Sequence, residues 1–110
     1  MKALNPFRER IDRIDFEIVR LLGERFAVVR EVAEVKGAAG IAAVLPERVE
    51  MVKMRVAELG AAQGLEPTLM RALYTLIIDE ACALEERLIA GQPDARAPKL
   101  SWRVRPRSQR

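Results

Sequence analysis

Histidine is absent from this 110-residue chain, and cysteine occurs once, as Cys82. Without histidine the chain cannot build a Ser-His-Asp or Cys-His catalytic group, and it lacks the commonest ligand of transition metals. The Asp and Glu residues do not cluster with the spacing of a calcium or magnesium loop. A single cysteine excludes an intrachain disulfide, and its place in an apolar stretch predicts a small core residue. Any chemistry must therefore use other side chains.

Long hydrophobic runs are absent as well. The longest are far shorter than the ~20 residues that span a bilayer, and the N-terminal MKALNPFRER lacks the apolar segment of a signal peptide. We therefore expect a cytoplasmic protein without a membrane partner. Half of the residues are apolar, which is enough for the small core of a single domain.

The apolar residues that are present follow helical spacing. Asn5 suits an N-cap and Pro6 a first helical position, and the pattern then runs to Lys36 with only Gly23 inside it. Steps of four and three residues predict one long helix with an apolar stripe that packs against other helices. The apolar stripe consists of Phe7, Ile11, Ile14, Ile18, Leu21, Val28, Val32 and Val35.

Two more helices are predicted after glycine-containing breaks at 37–43 and 61–67. Pro46 suits the first turn of the second helix, and Pro67 opens the third. The predicted inner sides are Val49, Val52, Val56 and Leu59 in the second helix, and Met70, Tyr74, Ile77, Ala81, Leu84 and Leu88 in the third. No stretch alternates as a strand does, so the sequence predicts an all-α, three-helix protomer.

The length of the first predicted helix indicates a dimer. It would measure ~45 Å at 1.5 Å per residue, whereas a compact monomer of this size is only ~34 Å across. The apolar stripe extends over the full length, and two shorter helices of one chain cannot cover it. We therefore expect an intertwined homodimeric helical bundle.

Positive charge is concentrated at the C-terminal end. Residues 93–110 hold six basic residues and one acid, Asp94, and this segment carries +5 while residues 1–92 carry −2. Prolines and weak apolar periodicity predict a flexible basic tail at 93–110 behind a helical domain at 1–92. Because the rest of the chain is not basic, nucleic acid is not an expected partner, although the tail could contact an acidic one.

One cation interrupts the apolar stripe. The step from Leu21 to Val28 needs a stripe residue at position 25, and this residue is Arg25. Lys36 lies about three turns further along the same side of the helix. A buried cation without a partner costs several kcal/mol. The pattern therefore predicts that an anionic group lies against these two residues.

Arg8 and Arg48 complete a candidate cationic site. Arg8 precedes Arg25 by 17 residues, or ~25 Å of helix, so one small ligand cannot contact both within a single chain. In an antiparallel dimer, Arg8 of one chain would approach Arg25 and Lys36 of the other. Such cations in an apolar bundle would suit a compact dicarboxylate, which they could orient and whose developing charge they could stabilise.

The chain resembles the all-helical (type II) chorismate mutases from about Phe7 to Leu88. The matching motifs are RERIDRID at 8–15, LLGER at 21–25, Lys36, PERV at 46–49, and GL followed by LIIDE through residue 80. The resemblance implies an intertwined dimer with active sites built from both chains. It also implies the pericyclic rearrangement of chorismate to prephenate, a step of aromatic amino acid biosynthesis that needs no cofactor and no metal.

The resemblance further implies a role for each cation. Arg8 of one subunit and Arg25 of the other would bind the substrate's carboxylates. Lys36 would donate to a carboxylate and to the ether oxygen, and Arg48 would assist. Glu85 stands where a glutamine often donates to the ether oxygen. A carboxylate cannot donate a hydrogen bond, so Glu85 could serve only in its protonated form.

Three further positions depart from the family pattern. Leu45 and Val49 stand where acids often hold the substrate's ring hydroxyl, and Ala81 stands where a serine is frequent. An apolar pair cannot accept a hydrogen bond from that hydroxyl. Valine after PER also resembles the isochorismate-pyruvate lyases, which form salicylate and pyruvate. Lyase activity on isochorismate is therefore one alternative, and a non-catalytic helical dimerisation or ligand-sensing module is another.

Overall fold

The computed structural model describes residues 2–94. A short 3-10 helix, Lys2–Leu4, is followed by α1 (Asn5–Ala39), α2 (Pro46–Ala62) and α3 (Pro67–Ile89). The described residues contain no strand, which confirms the predicted all-α, three-helix protomer. None of their helices combines the length and apolar character that crossing a membrane requires. Residues 95–110, most of the predicted basic tail, lie outside the described part.

Prolines and glycine set the helix ends close to their predicted places. Pro46 and Pro67 are the first residues of α2 and α3, where a proline removes no helical hydrogen bond. Gly40 ends α1 in the left-handed conformation, at a φ of 71° that other residues adopt only with strain. As a result α1 extends to Ala39, three residues beyond the predicted end at Lys36.

The start of α1 differs from the prediction. Asn5 is already the first helical residue, and Leu4 takes the N-cap position without a side-chain hydrogen bond. The reason is the 3-10 helix Lys2–Leu4, which leads directly into α1. Pro6 still lies in the first turn, where its missing N–H has no helical partner to lose.

The central helix of the protomer is α3. It packs against both α1 and α2, whereas α1 and α2 do not pack against each other within residues 2–94. The predicted inner side of α3 is confirmed, because all of its residues are buried or half-buried. The buried apolar residues of the three helices are Val29, Ala33, Val56, Ile78, Ala81 and Leu84. This arrangement leaves a gap between α1 and α2, and α3 forms the floor of that gap.

The apolar stripe of α1 remains largely outside this core. The face of α1 that meets α3 carries Val29 and Ala33, and every residue from 5 to 21 is exposed. The five stripe residues in that range are each 50–59% exposed: Phe7, Ile11, Ile14, Ile18 and Leu21. On α2, Leu59 is also exposed, contrary to its predicted inward position. As the helix length predicts, one chain does not cover the stripe, and the homodimer stays a prediction.

After α3 the chain returns to α1. The Arg30 guanidinium donates a hydrogen bond to the Asp94 carboxylate, and both side chains are largely shielded from solvent. The residues Gly23, Phe26, Arg30 and Leu84 line a shallow cavity of about 310 Å³ around this ion pair. Asp94 therefore belongs to the packed body of the protein, two residues beyond the predicted domain boundary at 92.

The packing of α2 against α3 at Gly60 generates a stability prediction. A methyl group added at Gly60 would clash with Cγ of Met70. We predict that Gly60→Ala lowers the free energy of unfolding by about 1–2 kcal/mol, because overpacking outweighs the gain in helix propensity. Urea or thermal unfolding followed by circular dichroism measures the change.

Gly23→Ala is the matched control, since no described atom beyond the neighbouring residues and backbone of its own helix lies within 4 Å of the added methyl group. It should raise the free energy of unfolding by about 0.5–1 kcal/mol, because alanine restricts the unfolded chain and favours the helix. A Gly60→Ala protein as stable as the wild type would contradict the close packing at Met70.

Candidate active site

A cavity of about 650 Å³ lies where α1 and α2 diverge over α3. This volume is in the usual range of small-molecule sites. Its charged lining consists of three cations and one acid, namely Arg25, Lys36, Arg48 and Glu85. Most other lining residues are aliphatic, among them Val28, Val29, Val32, Leu45, Val49, Val52 and Ile78. A net positive charge in an apolar wall suits a small anionic ligand.

Arg25 lies in the wall that α1 contributes. Its side chain is half-buried, and its guanidinium carbon lies 5.6 Å from the centre of the Tyr74 ring on α3. Within residues 2–94, no carboxylate forms an ion pair with Arg25. Arg25 thus lines the cavity, and no described carboxylate occupies its N–H groups.

Lys36, near the end of α1, is the centre of the polar contacts. Its Nζ donates to Oε1 of Glu85 over 2.7 Å and to the carbonyl oxygen of Ala43 over 2.8 Å. The Lys36–Glu85 ion pair is well shielded, with side chains 14% and 10% exposed. Since an ammonium group has three donors, one N–H of Lys36 remains for a ligand. The predicted anionic group beside Lys36 is thus Glu85 of the same chain.

The end of the cavity near the start of α2 is apolar. Leu45 and Val49 line it, and Arg48 lies between them in sequence. The Arg48 side chain is exposed, and its closest described polar contact is with Sδ of Met51 at 3.7 Å, which is weak. Glu85 is the only acid in the described lining, and Lys36 already binds it. No described carboxylate therefore serves a polar ligand group placed beside Leu45 and Val49.

The part of the lining from α3 includes Ala81 and Cys82. Ala81 is buried, and Cys82 is half-buried in the cavity wall rather than fully in the core as predicted. Burial, together with the negative charge of Glu85, raises the pKa of the Cys82 thiol. The thiol is therefore protonated near neutral pH and acts as a neutral wall residue, not as a nucleophile.

The protomer brings together all but one of the predicted site residues. Arg25, Lys36, Leu45, Arg48, Val49, Ala81 and Glu85 all line the cavity. Arg8 does not: it is exposed on the first turn of α1, ~25 Å along the helix from Arg25. Arg8 could reach a cavity of this kind only from another chain.

Sequence reasoning missed several contributors. Ile78 lies one turn before Ala81, and Cys82 lies one turn before Glu85. Helical spacing could therefore have indicated both residues. Tyr74 is in the same register, but its contact with Arg25 depends on how α1 and α3 pack. The Ala43 carbonyl had no sequence signal, since every residue carries such a group.

This arrangement favours binding and electrostatic stabilisation. Cations can orient carboxylates, and one donor of Lys36 can reach an oxygen on which negative charge develops. The described residues contain no group of three or more His, Cys, Asp or Glu side chains placed to hold a metal ion.

Comparisons with known proteins agree with this chemistry. The sequence profile of the family described as chorismate mutase type II matches residues 7–86, well over half of the chain. The chain is 30% identical over 87 residues to a 4-amino-4-deoxychorismate mutase of Streptomyces pristinaespiralis, covering 79% of this chain and 67% of the relative. It is 27% identical over 89 residues to a chorismate mutase of Methanocaldococcus jannaschii, covering 81% of this chain and 90% of the relative.

A third relative is the bifunctional chorismate mutase/prephenate dehydratase of Aquifex aeolicus. The identity is 32% over 91 residues, which is 80% of this chain but only 25% of the relative. Comparison with solved structures gives no significant match. The match of the profile over most of the helical body shows that this chain belongs to the type II chorismate mutase family.

Proposed function

We propose that this chain catalyses the rearrangement of chorismate to prephenate without a cofactor. The observation that carries the proposal is the apolar cavity into which Arg25, Lys36 and Glu85 converge, in a chain of this family. In the reaction one C–O bond breaks and one C–C bond forms within the same molecule, and no proton is transferred. The chain then needs only to hold a reactive conformation and to stabilise the charge that develops on the ether oxygen.

The two substrate carboxylates would be bound by arginines. Arg25 has no carboxylate partner among the described residues, so its paired N–H donors can bind one carboxylate in a bidentate manner. Arg48 is held only by its weak contact with Met51, so it can turn toward the cavity at little cost. We assign the second carboxylate to Arg8 of another copy of the chain, with Arg48 assisting.

A homodimer with shared sites is part of the proposal. Residues 5–21 of α1 are exposed throughout, and their apolar stripe needs a cover that the described chain does not supply. An antiparallel second copy would cover the stripe and would bring its Arg8 toward Arg25. The apolar face and the missing second arginine thus have a common explanation.

Lys36 and Glu85 would act on the ether oxygen. With Glu85 ionised, Lys36 divides its donors between Glu85 and Ala43, and the carboxylate can only accept. With Glu85 protonated, the carboxylic acid donates to the ether oxygen, and the Lys36 charge is released toward the substrate. Two donors would then face the oxygen on which negative charge develops.

The apolar end of the cavity supports chorismate over its 4-amino analogue. With the ring placed as the family resemblance implies, the substituent at C4 lies near Leu45 and Val49. An ammonium group there would lose hydration without a carboxylate partner, whereas a neutral hydroxyl loses much less. Although two relatives are named 4-amino-4-deoxychorismate mutase, this wall favours the hydroxyl compound.

Assays on chorismate, isochorismate and 4-amino-4-deoxychorismate in parallel test the proposal. We predict prephenate from chorismate with the highest kcat/KM of the three substrates.

Lys36→Ala should lower kcat by about 10²- to 10³-fold, because a donor to the developing charge is lost. Lys53→Ala is the matched control, since Lys53 does not line the cavity. It should leave kcat within about 2-fold of the wild type.

Other outcomes of this assay would replace the proposal. Pyruvate release from isochorismate faster than prephenate formation would assign the lyase activity that Leu45 and Val49 also fit. Binding of chorismate without any turnover would assign a ligand-sensing module. The highest kcat/KM on the amino compound would overturn the argument from the apolar wall.

The proposed role of Glu85 predicts the effects of two substitutions. The Glu85→Gln amide can donate a hydrogen bond to the ether oxygen and should keep at least the wild-type kcat, whereas Glu85→Leu cannot donate and should lower kcat by about 10²- to 10³-fold. Glu86→Gln, an exposed neighbour on the same helix, is the control and should leave kcat unchanged. A Glu85→Gln variant as slow as Glu85→Leu would refute donation at this position.

Shared sites predict complementation between two inactive variants. Arg8→Ala and Arg25→Ala should each lose most activity. When they are unfolded together and refolded at equal amounts, about half of the dimers are mixed, and each mixed dimer regains one intact site. Activity should return to about a quarter of the wild-type value. Mixing without unfolding is the control, and no recovery after joint refolding would show that the two arginines do not act across chains.

A further inference from the structure

Arg25 differs from the other charged residues of the cavity in the kind of group that it contacts. Lys36 is held by a carboxylate and a carbonyl oxygen, whereas Arg25 contacts an aromatic ring of the described part of the chain. The ring belongs to Tyr74, which is half-buried on α3 and does not itself line the cavity. Tyr74 therefore contacts Arg25 from outside the cavity lining, whereas Arg25 itself is part of that lining.

The distance fits a cation–π interaction. The guanidinium carbon lies 5.6 Å from the ring centre, within the range of about 6 Å at which the ring quadrupole attracts a cation. Such a contact uses the electron-rich face of the ring and occupies none of the N–H donors of the guanidinium. An ion pair would hold Arg25 more tightly but would use those donors and neutralise its charge. An aromatic contact holds the side chain and leaves it able to bind an anion.

Ordering the side chain in advance also favours binding. A free arginine loses considerable rotational freedom when it binds a carboxylate, and this loss weakens binding. Contact with Tyr74 restricts Arg25 before the ligand arrives, so that less freedom is lost on binding.

We propose that Tyr74 is a positioning residue for substrate binding, which holds the Arg25 guanidinium at the cavity wall through its ring face. This rests on the proposed function in that Arg25 binds a substrate carboxylate. The ring is the required part of the side chain, and the hydroxyl is not. Phenylalanine should therefore replace tyrosine, whereas an aliphatic side chain of similar size should not.

The first test compares Tyr74→Phe with Tyr74→Leu in the full-length protein. Loss of a cation–π contact predicts a kcat/KM for chorismate about 2- to 30-fold lower in Tyr74→Leu, mainly through KM. Tyr74→Phe should stay within about 2-fold of the wild type, because its ring face is unchanged. In an Arg25→Ala background, Tyr74→Leu should have no further effect on kcat/KM, since there is no guanidinium left to position. An equal loss in both backgrounds would show a merely structural role and overturn the proposal.

The second test does not depend on catalysis. In NMR spectra of arginine side chains, the Nε–H signal of Arg25, assigned by its loss in Arg25→Lys, should be displaced by the ring current of Tyr74. The displacement should persist in Tyr74→Phe and disappear in Tyr74→Leu, or in Tyr74→Met if the leucine variant does not fold. An unchanged signal in the non-aromatic variant would overturn the proposed contact. If the wild type formed no prephenate but showed this displacement, the proposed function would fail while the Tyr74–Arg25 contact stood.

Discussion

The ion pair between Lys36 and Glu85 is the interaction on which the cavity depends. It joins the last turns of α1 to α3 where α2 does not pack against α1. Lys36 also binds the loop between α1 and α2 through the Ala43 carbonyl. Removing two charges from water is unfavourable unless each finds close partners. Here the 2.7 Å contact between Lys36 and Glu85 supplies that partner. The cavity can thus remain open and charged without leaving an ammonium group unpaired in an apolar wall.

The three cations of the cavity are held with different strength. Lys36 is bound by a carboxylate, Arg25 lies over an aromatic ring, and Arg48 touches a thioether. The order follows the decreasing electrostatic attraction of these partners. A dianionic ligand would therefore recruit Arg48 and Arg25 without breaking an ion pair, and it would contact Lys36 through the one N–H that Glu85 and Ala43 leave. In the proposed mechanism, the two arginines bind carboxylates and Lys36 stabilises the reacting oxygen, so the two tasks fall to side chains that are held by different contacts.

Much of the architecture follows from local sequence rules. Proline at the first turn fixes where α2 and α3 begin, and the cation in the apolar stripe is found in the cavity wall as its register predicts. The packing face of α1 could not be predicted in the same way. Val28 and Val29 are both apolar and both line the cavity, and only the position of α3 decides that Val29 is buried while Val28 stays exposed. The ion pair of Lys36 with Glu85 likewise depends on how α1 and α3 align, because the two residues are 49 positions apart in sequence.

Backbone and long-range contacts were beyond the reach of sequence patterns. The carbonyl of Ala43 has no residue-specific signal, and Asp94 lies in a segment whose composition resembles a solvated extension.

The Arg30–Asp94 contact has an architectural consequence. Phe26 and Arg30 lie roughly 100–140° around α1 from Arg25, so Asp94 meets that helix on a different side from the one that lines the cavity. The ion pairs Arg30–Asp94 and Lys36–Glu85 thus tether the C-terminal part of the described chain to two sides of the same helix.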